Sequence, residues 1–489
     1  MAQKVVIIGA GIGGLATGAL LGKMGYNVTI LEKNKSLGGR AMQFKHRGFT
    51  FDMGPSWYLM PDVFERYFKL FKKKPTDYFK LKRLDPQYRI FFSGDDRIDI
   101  RSSIRENYKL FESIEPGSAE RIRNYLNTAK YQYKIAMDDF VYKNYTHFSD
   151  FLNADLLAAG PKLHVFESLD RYISRYTTNE KLRKILQYTI VFLGGSPKNT
   201  PALYSIMSHI DFHMGVFYPK GGIYEIIRAL ESLCVQYGVQ IKTGKEVVSI
   251  QVKSGTAQSV ETDTKSYDAD IVVSNADYPF TEMHLLERRY QTHTESYWKK
   301  KTMAPSAFIL HLGIKGKIKN LKHHNLFFAH DWERHFDQIF NDPQWPAEPS
   351  YYVCCPSKSD PSVAPRGHEN LFVLVPVAAG LPDTAEIRET FADQIITHLE
   401  ELTGESFEKR IKVKRIFSVG DYESMYNSYK GTALGLAHTL FQTAIFRPSN
   451  KSKKVKNLYY VGQYTIPGVG MPMCLISGQL VAERIQREQ

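Results

Sequence analysis

Three glycines, one acid and one arginine near the start of the chain carry the first chemistry that residue type and spacing reveal. Gly9, Gly11 and Gly14 stand at G-x-G-x-x-G spacing, Glu32 and Lys33 follow, and Leu37-Gly-Gly-Arg40 closes the segment. This spacing suits a ligand that carries a pyrophosphate. Gly9 permits a tight turn, Gly11 lets the backbone approach the phosphates, and Gly14 lets helix and strand pack closely. Unpaired N–H groups at the start of the helix then face the anion. Glu32, about twenty residues on, is placed to take ribose hydroxyls. Gly39 adds accessible backbone, and Arg40 adds a permanent cation for phosphate oxygens.

The elements that must hold those residues are legible around them. Val5 to Ile8 form a continuous apolar run, the pattern of a parallel strand buried on both faces. The glycines open a helix rich in Leu and Ala, and Val28 to Leu31 supply a second strand that ends at Glu32. Strand, glycine turn, helix and acid in this order mark a dinucleotide site rather than a simple turn. FAD and NAD share that much.

The chain has 489 residues, 43% of them hydrophobic, more than one ordinary core needs. Cys234, Cys354, Cys355 and Cys474 lack zinc-ligand spacing, so reduced thiols in a cytoplasmic protein are expected. The first strand begins at once, so no leader is expected, and no apolar run reaches the ~18 residues of a membrane span. Part of the +13 net charge lies between Arg66 and Arg83, where six lysines interleave with Tyr67, Phe68, Phe71, Tyr78 and Phe79. No nucleic-acid module is visible, and no nucleic acid is expected as a partner. Phe64, Phe68 and Phe71 at helical spacing leave two readings: a helix lying on an anionic membrane surface, or a stripe of ordinary core.

Further along, Gly48 to Trp57 alternates like a short strand and ends in a tight Gly54-Pro55 turn. Two short strands are expected between Arg89 and Ile100, and helices over residues 103–192, stopped by Leu193-Gly-Gly-Ser-Pro197. A helix through Leu230 to Tyr237 leads to strands at Val239, Glu246 and Ala269. Residues 280–415 read as a second domain, with strands at Phe308 and Leu371 and an amphipathic helix over Ala385 to Leu402. Asp331, Trp332 and Pro343 to Pro349 look like surface loop. His323, His324, His330 and His335 lack a ligand pattern, and no metal is expected. The strand Asn457 to Gly462, a glycine-rich turn and a final helix from Cys474 end the chain. Glycines again separate strand and helix, where a helix N-terminus suits the electron-rich end of a reduced flavin.

The N-terminal segment with Leu37-Gly-Gly-Arg40 resembles the flavin-containing amine oxidase and carotenoid desaturase superfamily, whose members hold FAD. Pro219-Lys-Gly-Gly222, Ser274-Asn-Ala-Asp277 and Pro467-Gly-Val-Gly-Met-Pro472 narrow the resemblance to bacterial-type phytoene desaturases over essentially the whole chain. The resemblance implies an α/β protein with a discontinuous Rossmann-like FAD-binding domain at residues 1–88, 213–279 and 448–489. A helical lid and substrate region would occupy residues 89–212, and a substrate domain of mixed sheet residues 280–447. It further implies that Pro55 and Ser56 lie beside the flavin ring and that the Val247 backbone reads the adenine. Asn275 and Ala276 would flank the cofactor, and Gly462, Gly470 and Met471 would return to it. Two departures, Ile466 for the usual His and Met473 for a frequent Gly, suggest a subgroup.

The implied activity is FAD-dependent desaturation of a long, phytoene-like polyene in carotenoid biosynthesis. Hydride leaves an allylic carbon for flavin, a proton leaves the adjacent carbon, and quinone or oxygen is the final acceptor. Asp150 best matches the family's acid, although Asn153 stands where an Arg is usual, and a helix N-cap is the plain alternative. Carotenoid oxidase, isomerase or saturase chemistry stays open. So do amine- or porphyrinogen-oxidase activity and a non-catalytic flavoprotein or membrane-associated binding role. A forty-carbon polyene at ~0.8 kcal/mol per buried carbon costs on the order of 30 kcal/mol to bring into water. That exceeds the roughly 20 kcal/mol ceiling of non-covalent binding. The expected location is therefore cytoplasmic and peripheral, on the inner face of a membrane, with Phe64 to Arg83 as the candidate contact.

Overall fold

The apolar run Val5 to Ile8 lies at the centre of a parallel sheet, buried on both faces. This computed structural model describes residues 2–93, 95–144, 164, 166–443 and 446–488. The sheet holds β1 (Lys4–Ile8), β2 (Asn27–Leu31), β3 (Gln240–Lys242), β4 (Ile271–Ser274) and β5 (Leu458–Tyr460), in the order β5-β4-β1-β2-β3. Every pairing in it is parallel. Its strands therefore come from three distant stretches of sequence. Helix α1 (Ile12–Lys23) packs between α2 (Tyr224–Gln236) and α3 (Met471–Glu488). The approach to α3 is close: a Cβ on Gly478 would stand 2.9 Å from that of Ala16.

A second sheet of seven strands runs Ile411–Phe417, Ser306–Lys315, His368–Val377, Tyr351–Cys354, His324–Phe327, Tyr88–Ser93, Asp96–Ile100. The last two strands are the pair expected near Arg89. They do not stay with the helical region that follows them. Tyr88–Ser93 joins His324–Phe327 in parallel and extends the substrate-side sheet. Alternation identifies a strand but not its partner, so this long-range pairing was invisible. Helices Ile104–Ile114, Ser118–Ile135, Leu169–Ile173 and Glu180–Gln187 share one core with Ile90 and Ile100 of these strands. Asp150 lies outside the described residues.

Two sequence expectations are corrected. Phe64 and Phe68 are 0% exposed and Phe71 3%, so the stripe is core and cannot enter a lipid interface. Tyr67 joins them and donates to the Ala16 carbonyl at 2.8 Å, fixing Pro61–Lys69 against α1. The outward-facing residues of that segment are polar and mostly charged, its lysines among them with Glu65, Arg66, Asp77 and Arg83. Trp332 is not surface loop. It opens the helix Trp332–Phe340, is buried, and sets its ring edge-on to Phe328 at 4.8 Å. Asp331 is that helix's N-cap and accepts from the Arg334 N–H at 2.9 Å. A capping acid and a loop acid look alike in sequence.

Candidate active site

The carboxyl ends of β1, β2, β4 and β5 open into one cavity of about 540 Å³. Every residue proposed for the cofactor lines it except Gly14, which sits behind the turn as a packing residue. Gly9 has φ +95°, a conformation side chains resist. A Cβ on Gly14 would stand 2.1 Å from the Gly9 carbonyl oxygen, and one on Gly11 2.8 Å from Asn275 Nδ2. Helix α1 begins at Gly11 with no side-chain cap and no acid in its first turn, so its N–H groups stay available to an anion. Glu32 Oε2 accepts from the Ala10 N–H at 2.8 Å, and Oε1 from the Asn34 N–H at 2.9 Å. Its carboxylate is thereby pinned at the end of β2 with lone pairs to spare.

Lys33 Nζ donates to Asn427 Oδ1 at 2.8 Å and pairs with Glu246 Oε1 at 3.2 Å. Buried Val247 lines the wall beside that pair. Arg40 donates to Ser428 Oγ at 2.9 Å and faces Asp277 Oδ2 at 3.8 Å. Burial pushes the Asp277 carboxyl up to about 6 against the pull of Arg40. Pro55 and Ser56 line the middle of the cavity, held close by Gly54, where a Cβ would stand 2.4 Å from the Arg40 carbonyl oxygen. Ser56 Oγ donates to Tyr352 Oη at 2.8 Å. Gly462, Gly470 and Met471 bring the start of α3, with no acid in its first turn, to the same wall. These groups fit FAD: an anion cradle, a ribose acid, and a second helix N-terminus where a flavin ring would end.

Beyond Trp57 the cavity turns apolar, lined by Met137, Val191, Leu193, Ile206, Ile210, Phe328 and Trp332. One charged group stands just behind this lining, and sequence reading missed it. The helix Ile206–His209 passes into a π turn over Ile210–Met214, a distortion often found at functional sites. The turn carries Asp211, which accepts from Tyr88 Oη at 2.6 Å and Tyr188 Oη at 3.0 Å through Oδ2. Oδ1 has no partner. Burial raises the Asp211 carboxyl to about 7, although both hydroxyls pull it down. Tyr188 lines the cavity.

His323, His324 and Cys354 bring ligand atoms within 4.8 Å of one another, all buried. His324 lies opposite Cys354 in the strand register, which no sequence spacing displays. Burial lowers His323 to about 3 and raises the Cys354 thiol, so both are neutral. His324 stacks on Trp57 at 4.4 Å and bonds Tyr352 Oη, so the trio backs the cavity wall.

The flavin containing amine oxidoreductase family matches residues 12–486. A carotenoid 3,4-desaturase of Haloarcula japonica is 46% identical over 99% of this chain and 98% of its own length. A zeta-carotene-forming phytoene desaturase of Myxococcus xanthus is 35% identical over 99% of this chain and 94% of its own. Among solved structures, an oxidoreductase from Methanosarcina mazei matches with TM-score 0.65 and 18% identity, covering 98% of this chain and 100% of its own, a likeness of fold.

Proposed function

We infer the function from one premise: this chain belongs to the flavin-containing amine oxidoreductase family, and within it to the bacterial carotenoid desaturases. It is an FAD-dependent oxidoreductase that desaturates a carotenoid polyene. Identity of 46% to a carotenoid 3,4-desaturase, against 35% to a phytoene desaturase, favours an already conjugated carotenoid as substrate. Phytoene is the second reading. The observation that carries the assignment is one cavity that runs from the glycine turn to an apolar end.

Bound FAD supplies the hydride acceptor. The N–H groups at Gly11 to Gly13 would hold its pyrophosphate, Glu32 its ribose, and the Val247 backbone its adenine. Arg40 would face phosphate oxygens, and the start of α3 would face the ring end. The apolar walls from Met137 to Trp332 orient the polyene and exclude water, which keeps the developing cation from capture. The proton leaves the neighbouring carbon for Tyr188 Oη while the Tyr188 proton moves to Asp211 Oδ2. Positive charge spread along the polyene makes a strong base unnecessary, and a carboxyl near 7 suffices.

Substrate enters from a bilayer, since free passage through water is too costly. The exposed rings suited to that contact are Phe441 and Phe446, 71% and 48% exposed and 5.9 Å apart. They flank Thr443, whose hydroxyl bonds the cavity-lining Tyr204. Anaerobic incubation of the FAD-loaded protein in liposomes carrying either phytoene or a conjugated carotenoid tests the reading. Flavin bleaching with a longer-wavelength product from the conjugated substrate is expected; bleaching by neither polyene overturns the assignment.

A further inference from the structure

Arg447 is a buried cation with no counter-charge among the described residues. It is 4% exposed, and no described carboxylate lies within 4.0 Å of it. Its guanidinium meets only neutral acceptors. NH1 donates to the Gln442 carbonyl at 3.2 Å and to His438 Nε2 at 3.4 Å, and NH2 donates to the Gln463 carbonyl at 2.5 Å. Nε has no acceptor among the described residues. His438 adds no charge. Burial lowers it to about 3, and its Nδ1–H donates to the Leu193 carbonyl at 2.8 Å, leaving Nε2 to accept. Arg40, by contrast, has Asp277.

Burying an unpaired charge costs several kcal/mol, so such a cation persists where an anion balances it in the working state. The location says which anion. A Cβ on Gly468 would stand 2.6 Å from His438 Nε2 and 3.7 Å from Arg447 Cζ, so imidazole and guanidinium lie together behind the loop that opens α3. Pro467, Val469 and Gly470 of that loop line the cavity. The field of Arg447 also reaches the Cys474 thiol in the first turn of α3, another lining residue.

We propose that Arg447 is a positioning charge for the reduced flavin. From behind the Gly468–Gly470 loop it stabilises the negative charge that appears on the ring's pyrimidine side, and so raises the flavin's reduction potential. The balance is simple. Hydride delivers two electrons and one proton, so neutral oxidised flavin becomes an anion when its second ring nitrogen stays unprotonated. The start of α3 contributes partial charge to the same place, and Arg447 contributes a whole one. An allylic C–H in a hydrocarbon is a weak hydride donor, and a raised potential is what its oxidation requires. This inference rests on FAD binding, as proposed above.

The test uses purified FAD-loaded protein without polyene. Sulfite adds to oxidised flavin and leaves the same negative charge on the ring. Arg447→Met should bind sulfite about tenfold more weakly, equivalent to a fall of about 30 mV in a two-electron potential. Arg447→Lys should stay near wild type. Wild-type flavin, once reduced, should show the absorption spectrum of the anion. Arg447→Met that holds FAD and binds sulfite like wild type overturns the proposal. So does a neutral spectrum for the reduced wild-type flavin, which decides the matter even where Arg447→Met fails to hold FAD. Wild-type protein that takes up no FAD overturns the functional reading itself, and FAD content tells the two failures apart.

Discussion

Asp211→Asn should slow oxidation of the polyene and remove most of its dependence on pH. Asp211 Oδ2 gathers the Tyr88 and Tyr188 hydroxyls, and burial lifts the carboxyl from 3.8 to about 7. Such a base is about one-tenth ionised near pH 6 and about nine-tenths near pH 8, so flavin reduction should climb about tenfold between them. Asparagine cannot take the proton that Tyr188 passes on, and general-base assistance is worth about a hundredfold or more. Stopped-flow reduction of the flavin in substrate-loaded liposomes, without oxygen, reads both effects. Tyr188→Phe should show the same loss. Asp277, raised to about 6, titrates nearby and faces Arg40 and Tyr464; Asp277→Asn should keep the climb above about pH 7. A stability signature accompanies the kinetics. The folded state holds the Asp211 proton where the unfolded chain has lost it. Stability from this group is full below about pH 4 and falls as pH rises through about 7, by about 4 kcal/mol in all. The thermal midpoint of Asp211→Asn should therefore gain on wild type from about pH 5 to about pH 8. Unchanged rate and unchanged pH slope in Asp211→Asn would refute the proton route through Tyr188.

Gly11→Val should abolish flavin absorbance, because its side chain would collide with Asn275 and block the backbone from the pyrophosphate; full flavin occupancy would remove this turn from the site. Phe441→Ser with Phe446→Ser should reduce flotation with anionic liposomes, and charge reversal at Lys72, Lys73 and Lys74 should lower it further at about 1 kcal/mol per charge. Equal flotation of every variant refutes both contacts. Trp332→Ala should destabilise the fold by about 3 kcal/mol in urea titration and enlarge the apolar end, so that a bulkier polyene terminus is accepted; an unchanged substrate preference would place that terminus elsewhere.

The cofactor end of the cavity was legible because its demands are local. A φ of +95° at Gly9 and a helix–strand approach at Gly14 exclude side chains wherever the motif occurs, and Glu32 must end the next strand to reach the same ligand. The substrate end makes no such local demand. The spacing of Phe64, Phe68 and Phe71 gives one helix face, but that face looks alike whether it meets lipid or α1, and only tertiary packing decided for α1. Asp211 is an ordinary acid in Ile210-Asp-Phe-His until Tyr88 and Tyr188, from a strand and a distant helical turn, close around it. Arg447 is one of many cations in a chain of net charge +13, and only burial with no described carboxylate beside it sets it apart. Both groups are expensive to bury, and both stand one residue behind the cavity wall. A polyene offers no polar handle, so charge cannot touch it directly without being desolvated against hydrocarbon. Placing the acid behind Tyr188 and the cation behind the Gly468 loop lets each act through a neutral group. The polyene end of the cavity stays apolar while each group acts from behind its wall.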